Sequence, residues 1–423
     1  MKNAAAAVLA CAAALFLPRA EARGVSPYLP VNLSPEIEYQ IEQVLILAGQ
    51  PVLTRPIAAA TVLDALPKAC HSDAALCDSV RRYLNRYMRR TGVMDAAADG
   101  TNGSDSTLPV PNQHGMRANS DWHADFRAYW QPQDWFLAVV GANAYDGDVT
   151  PTGSLISLGG EYAQIDVGWR DHWLSPLTDS SMTLSTEART MASIGISNYT
   201  PMTRFGFKYE FFLAQMSHSD RITHAGGLTA GTPRLAGTHF EIEPMSGWAF
   251  GVNRLMQYGG GDRGNSGLSA LFDAFIRPTK YDNFNNPTDN EFGNQVASIT
   301  SSFTYPGRVP FAAYVEYAGE DTVRGREYLL GNAALSVGMH FPMVFKNFDL
   351  TVEASEWQNG WYVHHIYLDG LTVDREVIGH WAGDQRVFND AVSGNSEMLR
   401  LGWRAPFGGL AELRYRTAAT DTY

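Results

Sequence analysis

From Trp122 to Tyr423 the chain consists almost entirely of short runs that alternate apolar and polar residues, each closed by Gly, Pro, Asn or Asp. Successive side chains of a strand point to opposite faces, so such runs read as strands with one apolar and one polar face. In the first run Trp122, Ala124, Phe126, Ala128 and Trp130 share a face, and His123, Asp125, Arg127 and Tyr129 take the other. In the last, Leu413, Tyr415 and Thr417 oppose Glu412, Arg414 and Arg416, with Asp421 interrupting the apolar side before the terminal Tyr423. A soluble β-sandwich or propeller alternates in the same way. Two further features favour an antiparallel transmembrane β-barrel: no stretch reads as a long apolar helix, and 12% of residues are aromatic, enough to furnish girdles at both membrane surfaces.

The first 22 residues read as an export signal. Lys2 supplies the charged start, Ala4 to Leu17 the apolar core and Ala20-Glu21-Ala22 a small-x-small cleavage site, so cleavage is expected after Ala22. Cys11 lies too early in the apolar core for a lipoprotein signal. Loss of Lys2, Arg19 and Glu21 removes a net charge of +1 and turns the formal −12 of the full chain into −13, which leaves no basic footprint for nucleic acid. Cys70 and Cys77 remain as an even pair and are expected to close a disulfide in an oxidising compartment.

Residues 23–90 do not alternate. Ser34 and Pro35 open a helix in which Ile37, Ile41, Val44, Leu45 and Ala48 recur at helical spacing before Gly49. A second helix is expected to follow Thr54 and run through Ala58 and Val62 to Leu66. A third starts near Ser72, with Leu76, Val80, Tyr83, Leu84 and Tyr87 inward and Arg81, Arg82, Arg86, Arg89 and Arg90 facing out. This small helical bundle is expected to cap the periplasmic mouth. Residues 91–120 lack apolar periodicity and read as a linker, with the barrel spanning 121–423.

One series is more specific. Val167-Gly168-Trp169-Arg170-Asp171-His172-Trp173-Leu174-Ser175-Pro176 leads to Ser185-Thr186-Glu187, Ile196-Ser197-Asn198-Tyr199 and Phe207-Lys208-Tyr209-Glu210-Phe211-Phe212. Later come Pro233-Arg234-Leu235, Asn253-Arg254-Leu255-Met256-Gln257-Tyr258 with its glycines, and Glu316-Tyr317-Ala318-Gly319-Glu320-Asp321. The ordered series resembles the Wzi family of capsule-assembly outer-membrane proteins. The resemblance implies a monomeric barrel of about 18 strands, closed by loops outside and helices inside. It also implies a lectin-like protein that binds capsular or other surface polysaccharide and holds it on the cell. Outer-membrane lipid and the polysaccharide export machinery are the further partners it suggests. The acidic stretch from Ala96 to Ser106 matches no feature of the family.

Sugar recognition needs flat aromatic faces beside planar hydrogen-bonding groups. Trp169, Arg170, Asp171, His172 and Trp173 offer both, although Arg170 and Asp171 can equally pair in the lumen and the tryptophans anchor at the interface. A second cluster holds Trp357, Trp361, Tyr362, His380 and Trp381. Asp262 and Arg263 follow a Gly259-Gly260-Gly261 run that fits G-x-G-x-x-G only as a string, since no parallel strand–helix unit surrounds it. Adjacent strand residues face opposite ways, so His364 and His365 are not expected to share a metal, and no cofactor motif is present. Glu316 with Glu320 or Asp321, or Glu353 with Glu356, are the carboxylates a glycosidase would use. With no nucleophile elbow and no H-E-x-x-H, the expectation is a non-enzyme. A porin or glycan-permeable channel is the alternative.

Overall fold

The computed structural model describes residues 23–101, 111–116, 120–263, 267–277, 289–323, 326–345, 347–383, 392–405, 407 and 409–422; the first 22 residues, which read as an export signal, lie outside them. Three helices come first: α1 (Pro35–Leu47), α2 (Ala59–Ala69) and α3 (Ala74–Leu84). α1 and α3 start close to where their sequence signals place them, and α2 begins at Ala59, five residues past Thr54. Gly49 adopts φ +64° just past α1, Asp73 caps α3 by accepting from Leu76 N, and Cys70 and Cys77 form the expected disulfide between α2 and α3. Leu76, Val80, Tyr83, Leu84 and Tyr87 are buried, while the five arginines of this stretch are exposed.

The strands are β1 (Thr91–Gly100), β2 (Trp122–Gln133), β3 (Phe136–Tyr145), β4 (Asp148–Thr150), β5 (Leu155–Gly160), β6 (Ala163–Gly168), β7 (Ser193–Ser197) and β8 (Lys208–Gln215). After them come β9 (Ser219–His224), β10 (Gly227–Gly231), β11 (Arg234–Met245), β12 (Trp248–Tyr258), β13 (Gly293–Tyr305) and β14 (Phe311–Val323). The last are β15 (Arg326–Val344), β16 (Phe348–Trp357), β17 (Thr372–Val373), β18 (Glu376–Val377), β19 (Val392–Arg404) and β20 (Leu410–Thr422). Sixteen of them form one antiparallel sheet ordered β1-β2-β3-β5-β6-β7-β8-β11-β12-β13-β14-β15-β16-β19-β20, with β4 paired to β3. β9 with β10 and β17 with β18 are small hairpins outside it.

One expectation is corrected: the first third of the supposed linker is β1, which pairs with β2 from Thr91↔Trp130 to Gly100↔Trp122. Ala96, Ala97 and Ala98 carry no alternation, so the strand arises from its partner's ladder and not from its own pattern. Residues Asn112 to Met116 then fold into the mouth, where His114 N donates to Thr186 O. The acidic stretch beyond Thr101 lies outside the described residues.

Alternation holds around the sheet. Phe126, Trp130, Ile165, Val167, Val252 and Ile299 are exposed on the outer face, while Asp125, Arg127, Asp166, Asn253, Glu316 and Glu353 are buried within. At one rim the connections are short, as between Met245 and Trp248 or Tyr305 and Phe311, and Phe207, Phe240, Trp248, Phe250, Phe303 and Phe311 join a ring of aromatic contacts there. The opposite rim carries the long segments 169–192, 216–233 and 259–292. Short turns mark the periplasmic rim and long loops the outer one. The hairpin at Phe407 belongs to the short-turn rim, so β20 runs toward the long loops. β1 and β20 are the edges of the described ladder and point the same way.

The bundle enters the barrel from the short-turn rim. Ser26 N donates to Gln164 Oε1 (2.9 Å), Tyr28 Oη to Asp166 Oδ2 (2.9 Å), and Arg400 reaches Glu42 Oε2 at 2.7 Å with its guanidinium over the Tyr39 ring. Just before them, Arg23 N donates to Glu161 Oε1 at 3.0 Å and the Arg23 guanidinium pairs with Asp64.

A fourth helix, α4 (Leu268–Ile276), packs on the outside of the wall. Ala236, Met256 and Tyr258 lie on the same strand face as the exposed Val252 and Ile242, yet they are buried under Ala270, Leu271, Ala274 and Phe275. Arg254, also on this outer face, donates to the carbonyls of Ala274 and Phe275 and closes the helix C-terminus. Leu268, Phe272 and Ile276 are 58–70% exposed on the far side of α4.

Candidate functional site

The long segment between β6 and β7 turns into the lumen, where buried glutamates of the wall hold it. Glu316 accepts from Ser175 Oγ (2.8 Å), Met182 N (3.1 Å) and Thr183 Oγ1 (3.3 Å). Glu353 accepts from Thr178 N and Oγ1 and from Asp179 N, all within 2.9 Å, and from Tyr314 Oη at 2.6 Å. Backbone amides that leave a strand inside a barrel need acceptors, and these carboxylates supply them.

The first aromatic–charged cluster lies at the root of this plug. Trp169, 37% exposed, continues the outer face of Ile165 and Val167 and therefore sits at the membrane interface. Arg170 is buried between Asp166 (3.3 Å) and Glu210 (3.2 Å) and stacks on Tyr28. Asp171 meets His114 Nε2 at 3.2 Å and accepts from Thr190 Oγ1 at 2.6 Å. Burial raises the affinity of Asp171 for its proton, but His114, Arg127 and Thr190 outweigh it and hold the carboxyl well below the usual range. His172 stacks on Phe212 and bonds Glu210 Oε1 at 2.6 Å. Trp173 donates to Leu177 O and pairs its backbone with Arg55, which ties the plug to the bundle.

The second cluster forms a layer over the plug toward the long loops. Tyr362 Oη donates to Met182 O (2.8 Å) and accepts from His380 N (2.7 Å), and Glu320 accepts from Tyr362 N. Trp381 Nε1 donates to Asp179 Oδ2 at 3.0 Å, while Trp357 and His380 pack ring against ring. Trp357, Trp361 and Tyr362 are each 2% exposed or less. His380 Nδ1 accepts from Ala382 N, which leaves Nε2–H to donate to Ser396 Oγ. Burial pushes His380 down to about 4, with Asp179 opposing.

Over this layer lies the mouth. Arg263 is buried and clamps two loops, donating to Thr223 O and Glu291 O, both at 2.8 Å. Asp262 stays exposed and accepts from Thr229 Oγ1. Gly259, Gly260 and Gly261 all adopt positive φ, and a side chain at Gly231 would lie 2.0 Å from Gly261 N, so the run is a tight crossing of two loops. His364 and His365 depart from expectation: the chain here is coil, not strand, and both rings turn to one carboxylate, Glu291.

Of the twelve candidate binding residues, the structure thus leaves Trp169 at the lipid interface and Asp262 at the mouth. The other ten are buried in polar and aromatic contacts that build the plug and its cover. The carboxylates considered for acid–base chemistry, Glu316, Glu320 and Glu353, all accept backbone amides of these loops. Apart from Asp262, the accessible planar polar groups named at the mouth are ones the sequence reading did not single out. Arg221 pairs with Asp369 at 3.0 Å, and Arg189 bridges Asp148 and Asp374, next to the exposed Arg375. Each is an unremarkable charge in its own loop; only the fold gathers them.

No helix among the described residues is long and apolar enough to cross a membrane. Cavities between the bundle and the barrel interior are small, about 80 and 70 Å³.

Comparison with known proteins agrees with this architecture. Residues 99–394 match the family described as capsule assembly protein Wzi. A Klebsiella pneumoniae protein described as an uncharacterized 55.8 kDa protein in the cps region is 25% identical over 256 residues, 56% of this chain and 46% of its own length. The chain therefore spans about half of that relative. Among solved structures, Escherichia coli Wzi, described as an outer-membrane protein involved in group 1 capsule assembly and a carbohydrate-binding β-barrel, superposes with a TM-score of 0.64 at 15% identity. That superposition covers 94% of this chain and 97% of Wzi. This outer-membrane β-barrel belongs to the Wzi family of capsule assembly proteins.

Proposed function

We propose that this protein binds capsular or related surface polysaccharide at its loop-covered mouth and anchors it to the cell, without making or breaking a bond. The observation that carries the reading is the occupied lumen. A plug strapped by Glu316 and Glu353 fills it from the loop side and the helical bundle fills it from the other, so the outer face of the loops is the working surface. Arg189, Arg221, Asp369, Asp374 and Arg375 present guanidinium and carboxylate groups there, the planar donors and acceptors that hydroxyls and uronates exchange hydrogen bonds with. Many weak contacts suffice, because a polymer held by several barrels is retained far more strongly than one contact allows. The mature protein acts as a monomer that starts at Arg23, and delivery of polymer from the export machinery to its mouth completes the reading.

The test compares cell-bound with released polysaccharide in a deletion strain, the complemented strain and one carrying Arg189→Ala, Arg221→Ala and Arg375→Ala together. Retention predicts unchanged total polymer that moves from cells to medium in the deletion and in the triple variant. Unchanged distribution in the deletion refutes anchoring. Stable open conductance of the purified protein in a planar bilayer would replace it with transport.

A further inference from the structure

Outside the plug, one cluster of ligating side chains stands apart. Glu291, on the segment leading into β13, is 4% exposed and turns its carboxylate toward the coil after β16. His364 Nε2 lies 3.3 Å from Glu291 Oε1 and His365 Nε2 lies 2.8 Å from Oε2. The three ligand atoms fall within 4.8 Å of one another. Consecutive histidines in a strand would diverge; here the two rings sit 4.5 Å apart, on the same side of the chain.

We propose that Glu291, His364 and His365 form a binding site for one borderline-soft divalent cation, zinc foremost, that clips two loops together across the mouth.

Two imidazoles and one carboxylate are the donors zinc takes, whereas calcium and magnesium require mostly oxygen. Ligand atoms around a tetrahedral ion at ~2.0–2.1 Å are separated by roughly 3.3 Å. The two imidazoles meet different oxygens of the one carboxylate, and the three ligand atoms lie within 4.8 Å of one another, so seating an ion draws them together by at most roughly 1.5 Å. Nε2 coordination puts the remaining proton of His364 on Nδ1, which now accepts from Ile366 N at 3.3 Å; that contact turns away as the ion enters. His365, 30% exposed, keeps an entry path and a fourth position open toward the mouth.

The surrounding loops hold the ligands in place independently of an ion. Arg263 binds Glu291 O, Thr223 N and Oγ1 donate to Ile366 O and His365 O, and Tyr367 Oη donates to Gly259 O. A pre-formed shell of this kind lowers the ordering cost of binding. The Arg263 guanidinium donates to the backbone carbonyl of Glu291 and so fixes the segment that carries the carboxylate.

The experiment titrates Zn²⁺ alone into the EDTA-stripped, detergent-solubilised barrel by calorimetry. Expected are one saturable site, an isotherm unmoved by excess Ca²⁺, and a rise in unfolding midpoint with Zn²⁺. Glu291→Gln and His365→Gln should each weaken affinity by about tenfold or more and abolish the rise. Co²⁺ should give the visible absorption of a low-symmetry site in the native protein and lose it in His365→Gln. Absence of a saturable site, or an affinity unchanged in both variants, overturns the proposal, as does competition by Ca²⁺. Heat-modifiable mobility on gels reports folding of each variant. Should Glu291→Gln fail to fold, His365→Gln, at a partly exposed position, decides the matter.

Discussion

A carboxylate sealed inside a barrel can serve chemistry or architecture, and the partners of Glu316 decide for architecture. Its oxygens take a serine hydroxyl, a threonine hydroxyl and a main-chain amide, all from the plug. Glu316→Ala should therefore strand three buried donors, at about 1–3 kcal/mol each, and Glu316→Gln, which keeps one carbonyl acceptor, should cost less. Unfolding midpoints and proteolysis of segment 169–192 read the ordering; equal effects of the two variants would refute the strap. His380 gives the cover over the plug a pH dependence. Its folded value near 4 lies below the ordinary 6.5, so protons prefer the undocked segment. Docking is at full strength above about pH 6.5, weakens as pH falls through that window, and has lost the whole contribution below about pH 4, on the order of 3 kcal/mol. His380→Gln should flatten the midpoint's pH dependence between those values, and an unchanged slope would remove His380 as its source. Little of this was legible in the sequence. Aromatic and charged residues at strand ends have the same composition whether they greet a sugar or fill a lumen. The histidine pair was misjudged because the chain leaves strand geometry after Trp357.

The elements themselves were mostly legible. Trp122 to Trp130 alternates because one face meets lipid and the other a polar interior, and α1 to α3 show their apolar stripes and ends. β1 was hidden because small residues at Ala96–Ala98 fit a ladder without signalling one. α4 was hidden because nine residues in a glycine-bounded loop make a weak pattern and because its docking surface is the outside of the wall. From Trp248 in the aromatic ring to Arg254 is six residues, ~20 Å along the strand and roughly 15 Å of height at the tilt usual for such barrels. The apolar band is about 25 Å tall, so α4 covers Arg254 within the outer-leaflet half and its exposed Leu268, Phe272 and Ile276 continue the lipid-facing surface. Phe272→Trp should fluoresce blue-shifted in vesicles and be quenched by lipids brominated on their acyl chains. Quenching by aqueous iodide alone would place this face in water.

At the scale of the whole molecule, a bundle and a plug meet inside one wall, joined where Arg55 and Trp173 pair. Such a barrel should show no steady conductance, and loss of the gene should shift polymer from cell to medium without changing its total. The contact between Arg23 and Glu161 adds a temporal dimension. If the leader is cut after Ala22, the atom now donating to that carboxylate becomes the free amino terminus, and a neutral amide contact becomes an ammonium–carboxylate pair. Processing by the signal peptidase would then act as a latch: a chain still carrying its leader makes only the neutral form of this bond, and one that has lost it holds the bundle more firmly in its seat. Glu161→Gln should accordingly lower the unfolding midpoint of the processed protein more than that of a form extended beyond Arg23, where Glu161 holds only a neutral amide and the Thr200 hydroxyl; equal losses in both would break the link between export and assembly.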